Sequence, residues 1–172
     1  RFLTGAGRYT DDLNRPGQAY AYFVRSLHAH ATVNGINKDA AQAAPGVVAV
    51  LTGDDLAADG VGGIPCGFCP APGPMNEPPR PALAQSKVRF VGDMVAVVIA
   101  ETLAQAKDAA ELVDVDYSTL PVAVSLEDAA QEGAPQLHDV APDNVCFDWE
   151  LGDATATDEA FAKAHHVTKL DI

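Results

Sequence analysis

Apolar and polar residues alternate most clearly over residues 18–25, where Tyr20, Tyr22 and Val24 recur at every second position and predict a half-buried strand. Residues 31–36 repeat the pattern with Ala31, Val33 and, after the break at Gly35, Ile36. Asn37 is placed to cap a short helix over 38–44, which Pro45-Gly46 ends. The apolar run 47–51 predicts a buried strand, and Thr52 with Asp55 has the spacing of a capping box that opens a helical turn. Residues 88–91 and 94–100 flank Gly92-Asp93, a two-residue hairpin signal. The stretch 95–100 is apolar throughout, so it is read as the central strand, with Val97 at its middle.

Thr102 and Gln105 open the next helix, where Leu103, Ala106, Ala110 and Val113 form an apolar stripe. Val113, Val115 and Tyr117 then alternate with Asp114 and Asp116, a strand with one wet face that Pro121 stops. Ser125 and Asp128 cap a further short helix. Residues 131–156 read as irregular, 157–164 as helical, and 166–172 as the start of a strand. The order is β, β, α, β, loop, β, β, α, β, α and a tail. This mixed order with hairpins favours α+β, a mixed sheet with a few short helices packed on it, over a doubly wound sheet. The domain reading is one unit, 1–172, with two irregular parts. Residues 60–82 hold 7 Pro and 5 Gly in 23 positions, which rules out a regular ladder or helix there. Residues 131–172 form an irregular C-terminal extension.

Length and charge narrow the picture. A compact chain of 172 residues would expose roughly 8,000 Å² of the roughly 26,000 Å² of its unfolded form, burying about 70%. That is the basis for expecting the chain to fold alone. The net charge of −13 argues against a nucleic-acid partner, which needs a basic footprint. The charge is uneven: residues 1–90 carry 8 basic and 7 acidic groups, residues 91–172 carry 3 and 17. An acidic half can steer a basic partner or simply keep the surface solvated. No apolar run approaches the length of a membrane-spanning helix. Three cysteines without framework spacing fit a reducing compartment, so a cytoplasmic location is expected. A first residue of Arg, with no leader-like apolar stretch, reads as a piece of a longer chain.

Few residues have the makings of a chemical site. Cys66-Gly67-Phe68-Cys69 could hold a metal or a redox disulfide. Zinc needs two further ligands, and Cys146 stands apart with no nearby His. The prolines at 70, 72 and 74 forbid the helix whose N-terminus would activate a redox thiolate. His28 and His30 would share a face if they lay on a strand, yet a third ligand is missing. His165-His166 point two ways. Gly5-Ala6-Gly7 belongs to no dinucleotide fingerprint, and no phosphate-loop, nucleophile-elbow or zinc-protease motif occurs. Asp54-Asp55 read as a cap and Asp114/Asp116 as a solvent face. No catalytic, cofactor-binding or metal-ligating residue is therefore assigned to this chain.

Six ordered blocks carry a resemblance. Arg1-Phe2-Leu3-Thr4-Gly5-Ala6-Gly7-Arg8-Tyr9-Thr10-Asp11-Asp12 comes first, then Val24-Arg25-Ser26-Leu27-His28-Ala29-His30-Ala31. Ala44-Pro45-Gly46-Val47-Val48-Ala49-Val50-Leu51-Thr52-Gly53 follows, then Val88-Arg89-Phe90-Val91-Gly92-Asp93-Met94-Val95-Ala96-Val97-Val98. Val115-Asp116-Tyr117 through Pro121-Val122, and a tail block at Gly152-Asp153 with Ala160 to Ala164, complete the series. Together they resemble the large subunit of the molybdenum hydroxylases: xanthine dehydrogenase, aldehyde oxidase and aerobic carbon monoxide dehydrogenase. Leu27 and Asp93-Met94 depart from the family's Pro and Glu-Pro, and residues 60–82 match nothing in it.

The resemblance implies an α/β hammerhead domain, the N-terminal part of a molybdopterin-binding subunit. It implies a molybdopterin-type molybdenum cofactor and a glutamate base in later domains, with [2Fe–2S] and FAD on partner domains or subunits. It also implies oxidation of CO, aldehydes or purines by the intact enzyme, and an isolated chain without activity that leaves a docking face of roughly several hundred Å² exposed. A carbon monoxide dehydrogenase-like branch with separate subunits is the favoured form. The competing readings are a free-standing acidic protein-binding module and a Cys-x-x-Cys redox or zinc protein.

Overall fold

A computed structural model describes residues 1–67 and 75–170. Its centre is two three-stranded sheets in which every strand pair is antiparallel. In chain order the strands are β1 (Tyr20–Arg25), β2 (Ala31–Asn37), β3 (Val47–Thr52), β4 (Lys87–Val88), β5 (Met94–Ala100) and β6 (Asp114–Thr119). One sheet has the order β1-β5-β3, the other β4-β2-β6. The helices are α1 (Asp39–Gln42), α2 (Gly53–Ala58), α3 (Leu103–Ala110), α4 (Leu126–Ala129) and α5 (Ala154–Lys163). This is an α+β arrangement, with short helices laid on antiparallel sheets.

β5 is central, as its unbroken apolar run requires, and its two faces serve two cores. Val98 points to one side, into a cluster with Ala41, Val50, Ala109 and Ala110 beneath α1 and α3. Val95 points to the other, into a cluster with Ala31 and Val88 of the second sheet and Ala84, which precedes β4. Val24 touches both clusters and ties the two sheets together. The largest fully buried side chains are only Val88, Val95, Val98 and Ser26, so both cores are built from small residues. Close approach follows: a Cβ on Gly53 would lie 2.7 Å from the Ala84 carbonyl oxygen and 2.8 Å from that of Leu83.

The structure corrects several expectations. Gly92-Asp93 does turn the chain, with Gly92 at φ 94°, but residues 88–91 and 94–100 do not pair as a hairpin. The turn is claimed by Ser26, whose N–H donates to Asp93 O and whose O accepts from Gly92 N–H, both at 2.8 Å. The two arms therefore leave for different sheets. Val97 is half-buried, because it lies on the opposite face from Val98 and beyond the reach of the second core. β3 is an edge strand with Val48 exposed rather than a buried one. The α3 stripe is Ala106, Ala109 and Ala110, while Leu103 is exposed. α5 starts three residues earlier than expected because Asp153 caps it, accepting from Ala156 N–H at 2.9 Å. Residues 165–170 form no strand, and 171–172 lie outside the described residues.

The largest departure is in burial. The exposed surface is 12,679 Å², against the roughly 8,000 Å² of a compact chain of this mass, so only about half of the unfolded surface is buried. Three stretches contribute: two terminal arms and 54–82, where no described residue is buried. No residue of 1–18 is buried, and over 122–170 Ala141 alone is.

Candidate functional site

The Thr52–Asp55 box forms as its spacing demands. Asp55 Oδ2 accepts from Thr52 N–H and Oγ1, each at 2.7 Å, and Asp55 N–H donates back to Thr52 Oγ1 at 3.4 Å. Lys38 Nζ completes the cluster with a salt bridge of 2.5 Å. Lys38 first, then the Thr52 hydrogen bonds, hold the Asp55 carboxyl down at about 2. The carboxylate is thus fully engaged in fold, not in acid–base chemistry.

Because its folded pKa is depressed, Asp55 contributes stability that is complete above the ordinary carboxylate value and is lost as pH falls toward about 2. Asp55→Asn is expected to cost about 1 kcal/mol at pH 7, a figure reduced for the partial exposure of the pair. The difference from the parent should vanish near pH 2, as read by urea denaturation at both pH values.

The paired histidines do not form a ligand set. Residues 26–30 bend between β1 and β2 instead of continuing a strand, so His28 and His30 do not share a face. The His28 ring packs edge-on against Tyr117, centroids 4.9 Å apart. His30 is buried, and its Nδ1 donates to Pro121 O at 2.6 Å; its Nε2 is buried with no hydrogen-bond partner among the described residues. His166 Nε2 lies 3.1 Å from Thr168 Oγ1 on the surface, and His165 is exposed. Asp114 and Asp116 line the wet face of β6 as expected.

Cys66 is half-buried, its N–H donating to Glu77 Oε1 at 3.3 Å, and Cys69 lies outside the described residues. Cys146 sits apart on the C-terminal arm, its carbonyl accepting from Asn76 N–H at 2.8 Å. Gly5-Ala6-Gly7 lies between two one-turn 3-10 helices, with no strand before it. Among the described residues no three His, Cys, Asp or Glu side chains converge to hold a metal.

Two features that single-residue reasoning missed stand out. The first is a groove between β1, the end of α3 and β6. Tyr22, Phe23, Leu27, His28, Val115 and Tyr117 line it, joined by Lys107 and Glu111. Burial pushes the Tyr117 phenol up, although its hydroxyl meets the Ser26 side chain. The second is the apolar dress of the arms. Phe2, Leu3, Tyr9 and Leu13 at one end, and Val124, Leu126, Leu151 and Phe161 at the other, are exposed. No helix among the described residues is long and apolar enough to cross a membrane.

Residues 4–121 match the family described as aldehyde oxidase and xanthine dehydrogenase, a/b hammerhead domain. Over 98% of its length the chain is 39% identical to the carbon monoxide dehydrogenase large chain of Afipia carboxidovorans, of which it spans 21%. It is 40% identical over 97% of its length to the nicotine 6-hydroxylase large subunit of Paenarthrobacter nicotinovorans, of which it spans 20%. Among solved structures, the Cu,Mo-CO dehydrogenase in its carbon monoxide reduced state superposes with a TM-score of 0.75 at 38% identity. The match covers 96% of this chain and 21% of that one. The chain thus spans about a fifth of the length of these relatives.

Proposed function

Because the chain belongs to the aldehyde oxidase and xanthine dehydrogenase a/b hammerhead domain family, we propose that it is the structural and interface module of a molybdenum-dependent oxidoreductase large subunit. The observation that carries this reading is the pair of arms. Residues 1–18 and 122–170 bury almost nothing of their own, yet they present large apolar side chains. Their partner is the remainder of the same subunit. The intact enzyme oxidises a small molecule of the CO, aldehyde or purine class in the cytoplasm. Its molybdopterin-type cofactor lies in other domains, and [2Fe–2S] and FAD on partner domains or subunits.

The described residues do not fit the molybdenum cofactor itself. A pterin phosphate is best met by free N–H groups and positive potential at a helix N-terminus. Here α2 and α4 carry Asp54, Asp55, Glu127 and Asp128 in their first turns, and Thr52 and Ser125 already cap them. Thr102 and Asp153 cap α3 and α5 in the same way. Among the described residues, the buried imidazole nitrogens without partners, on His30 and His138, belong to no ligand cluster. No catalytic step is therefore assigned to this chain.

The test supplies the purified chain with molybdenum cofactor and assays CO, aldehyde and purine oxidation with an artificial electron acceptor. No turnover and no cofactor retained after gel filtration are expected. Stoichiometric retention or turnover would overturn the reading.

A further inference from the structure

We infer that the turn over residues 136–145 is a latch that fastens the C-terminal arm to the edge of the second sheet, and that acid opens it through His138. This inference stands on the chain's own geometry and needs nothing from the enzyme reading.

The latch has two parts. Within the turn, Asn144 gathers the backbone: its Oδ1 accepts from Leu137 N–H at 2.8 Å, and its Nδ2 donates to Ala129 O at 2.9 Å and Pro135 O at 3.0 Å. Asp143 and Asn144 both take left-handed φ, 55° and 57°, a conformation that asparagine and aspartate tolerate best among residues with side chains. The turn also contains Ala141, the one buried residue of 122–170. Toward the body, Arg89, next to β4, donates from Nε to Leu137 O at 2.8 Å. Arg89 is itself held, its N–H donating to Asp93 Oδ2 at 3.1 Å. Lys87 faces Asp139 at 3.9 Å. Asn76 adds a second fastening, donating to Cys146 O at 2.8 Å and Val145 O at 3.1 Å.

His138 sits inside this fastening with Nδ1 buried and unpartnered among the described residues. The charged groups that face it are Arg89 and Lys87 beside it on the sheet edge, Asp93 from the turn before β5, and Asp139 from its own turn. Burial first, then the Arg89 guanidinium, with Lys87 adding, push His138 below the ordinary histidine range. Asp139 and Asp93 oppose them. A proton on Nδ1 would have no acceptor and would face the cation that holds Leu137. The neutral ring fits and the charged ring does not, so the latch is complete above the ordinary histidine pKa and weakens as pH falls below it.

The experiment is hydrogen exchange, corrected for intrinsic rates, on the full-length protein that carries this chain, at pH 7.5 and pH 5.5. Peptides over 136–146 should lose protection about tenfold at the lower pH, while those over Met94–Ala100 stay unchanged. His138→Asn puts an amide oxygen near the place of Nδ1 without a titratable proton, and should abolish the pH dependence. Arg89→Gln should weaken protection at both pH values. Exchange from Met94–Ala100 reports whether each variant is folded, and His138→Gln serves if the first substitution fails that control. An unchanged pH dependence in the folded His138 variant, or a wild-type protein with no pH dependence over 136–146, would overturn the inference.

Discussion

Val98→Asp is expected to leave no cooperatively folded protein. Val98 is fully buried in the middle of β5, paired with Tyr22 on β1 and Val50 on β3, and roofed by Ala109 and Ala110 of α3. Every neighbour in that cluster is a small apolar residue, so nothing nearby can pair with a carboxylate or move aside to admit water. An unpaired buried charge costs several kcal/mol, a large part of the roughly 5–15 kcal/mol that holds a typical domain together. Val97→Asp is the control: half-buried on the other face, Val97 should tolerate the change far better. Soluble yield and a thermal melt followed by circular dichroism check both. A cooperative melt from Val98→Asp would mean that the core beneath α3 is not what organises the fold.

The contrast between Val97 and Val98 marks the limit of what the sequence reveals. A continuously apolar run identifies a central strand but gives no phase, so it cannot tell which face meets the deeper core. Local capping chemistry was legible at three helix starts, though the Asp153 cap of α5 was not. Thr52 with Asp55, Thr102 with Gln105 and Ser125 with Asp128 each place a hydroxyl where it accepts a helix N–H. Asp114 and Asp116 likewise face solvent as their alternation with Val115 and Tyr117 requires. What failed was non-local. Gly92-Asp93 carries a hairpin signal, yet Ser26, far away in sequence, takes the turn's backbone groups and splits its arms between sheets. His28 and His30 would align on a strand, but the chain bends there so that β1 and β2 can enter different sheets.

The family was legible directly: six sequence blocks in order carry the resemblance, and residues 4–121 match the hammerhead family. That this chain supplies no site residue is the proposal that the cofactor-retention test decides. The latch has no local signature, because Arg89 lies 48 residues from Leu137 and meets it through a backbone carbonyl that no motif records. A docking face was expected from the resemblance, but its place on the arms was not. Composition alone gave about 70% burial, an estimate that assumes a compact shape. An apolar side chain meant for another surface looks the same in sequence as one meant for the chain's own core, as Leu151 and Phe161 illustrate.

The second large effect concerns those arms, and it bears on the central claim that this chain is built to be packed against. Residues 1–18 and 147–170 contain no buried residue, so in the chain expressed alone their amides should exchange nearly as fast as those of an unfolded peptide. In the full-length protein the same amides should gain protection of about 100-fold or more, because groups that open locally at almost no cost become part of a packed interface. Met94–Ala100, buried in both settings, supplies the internal reference. The decisive measurement is therefore the exchange of residues 1–18 and 147–170 in the two proteins, side by side at one pH. The account predicts open arms in the isolated chain and protected arms in the full-length protein; arms equally open in both, or equally protected in both, would contradict it.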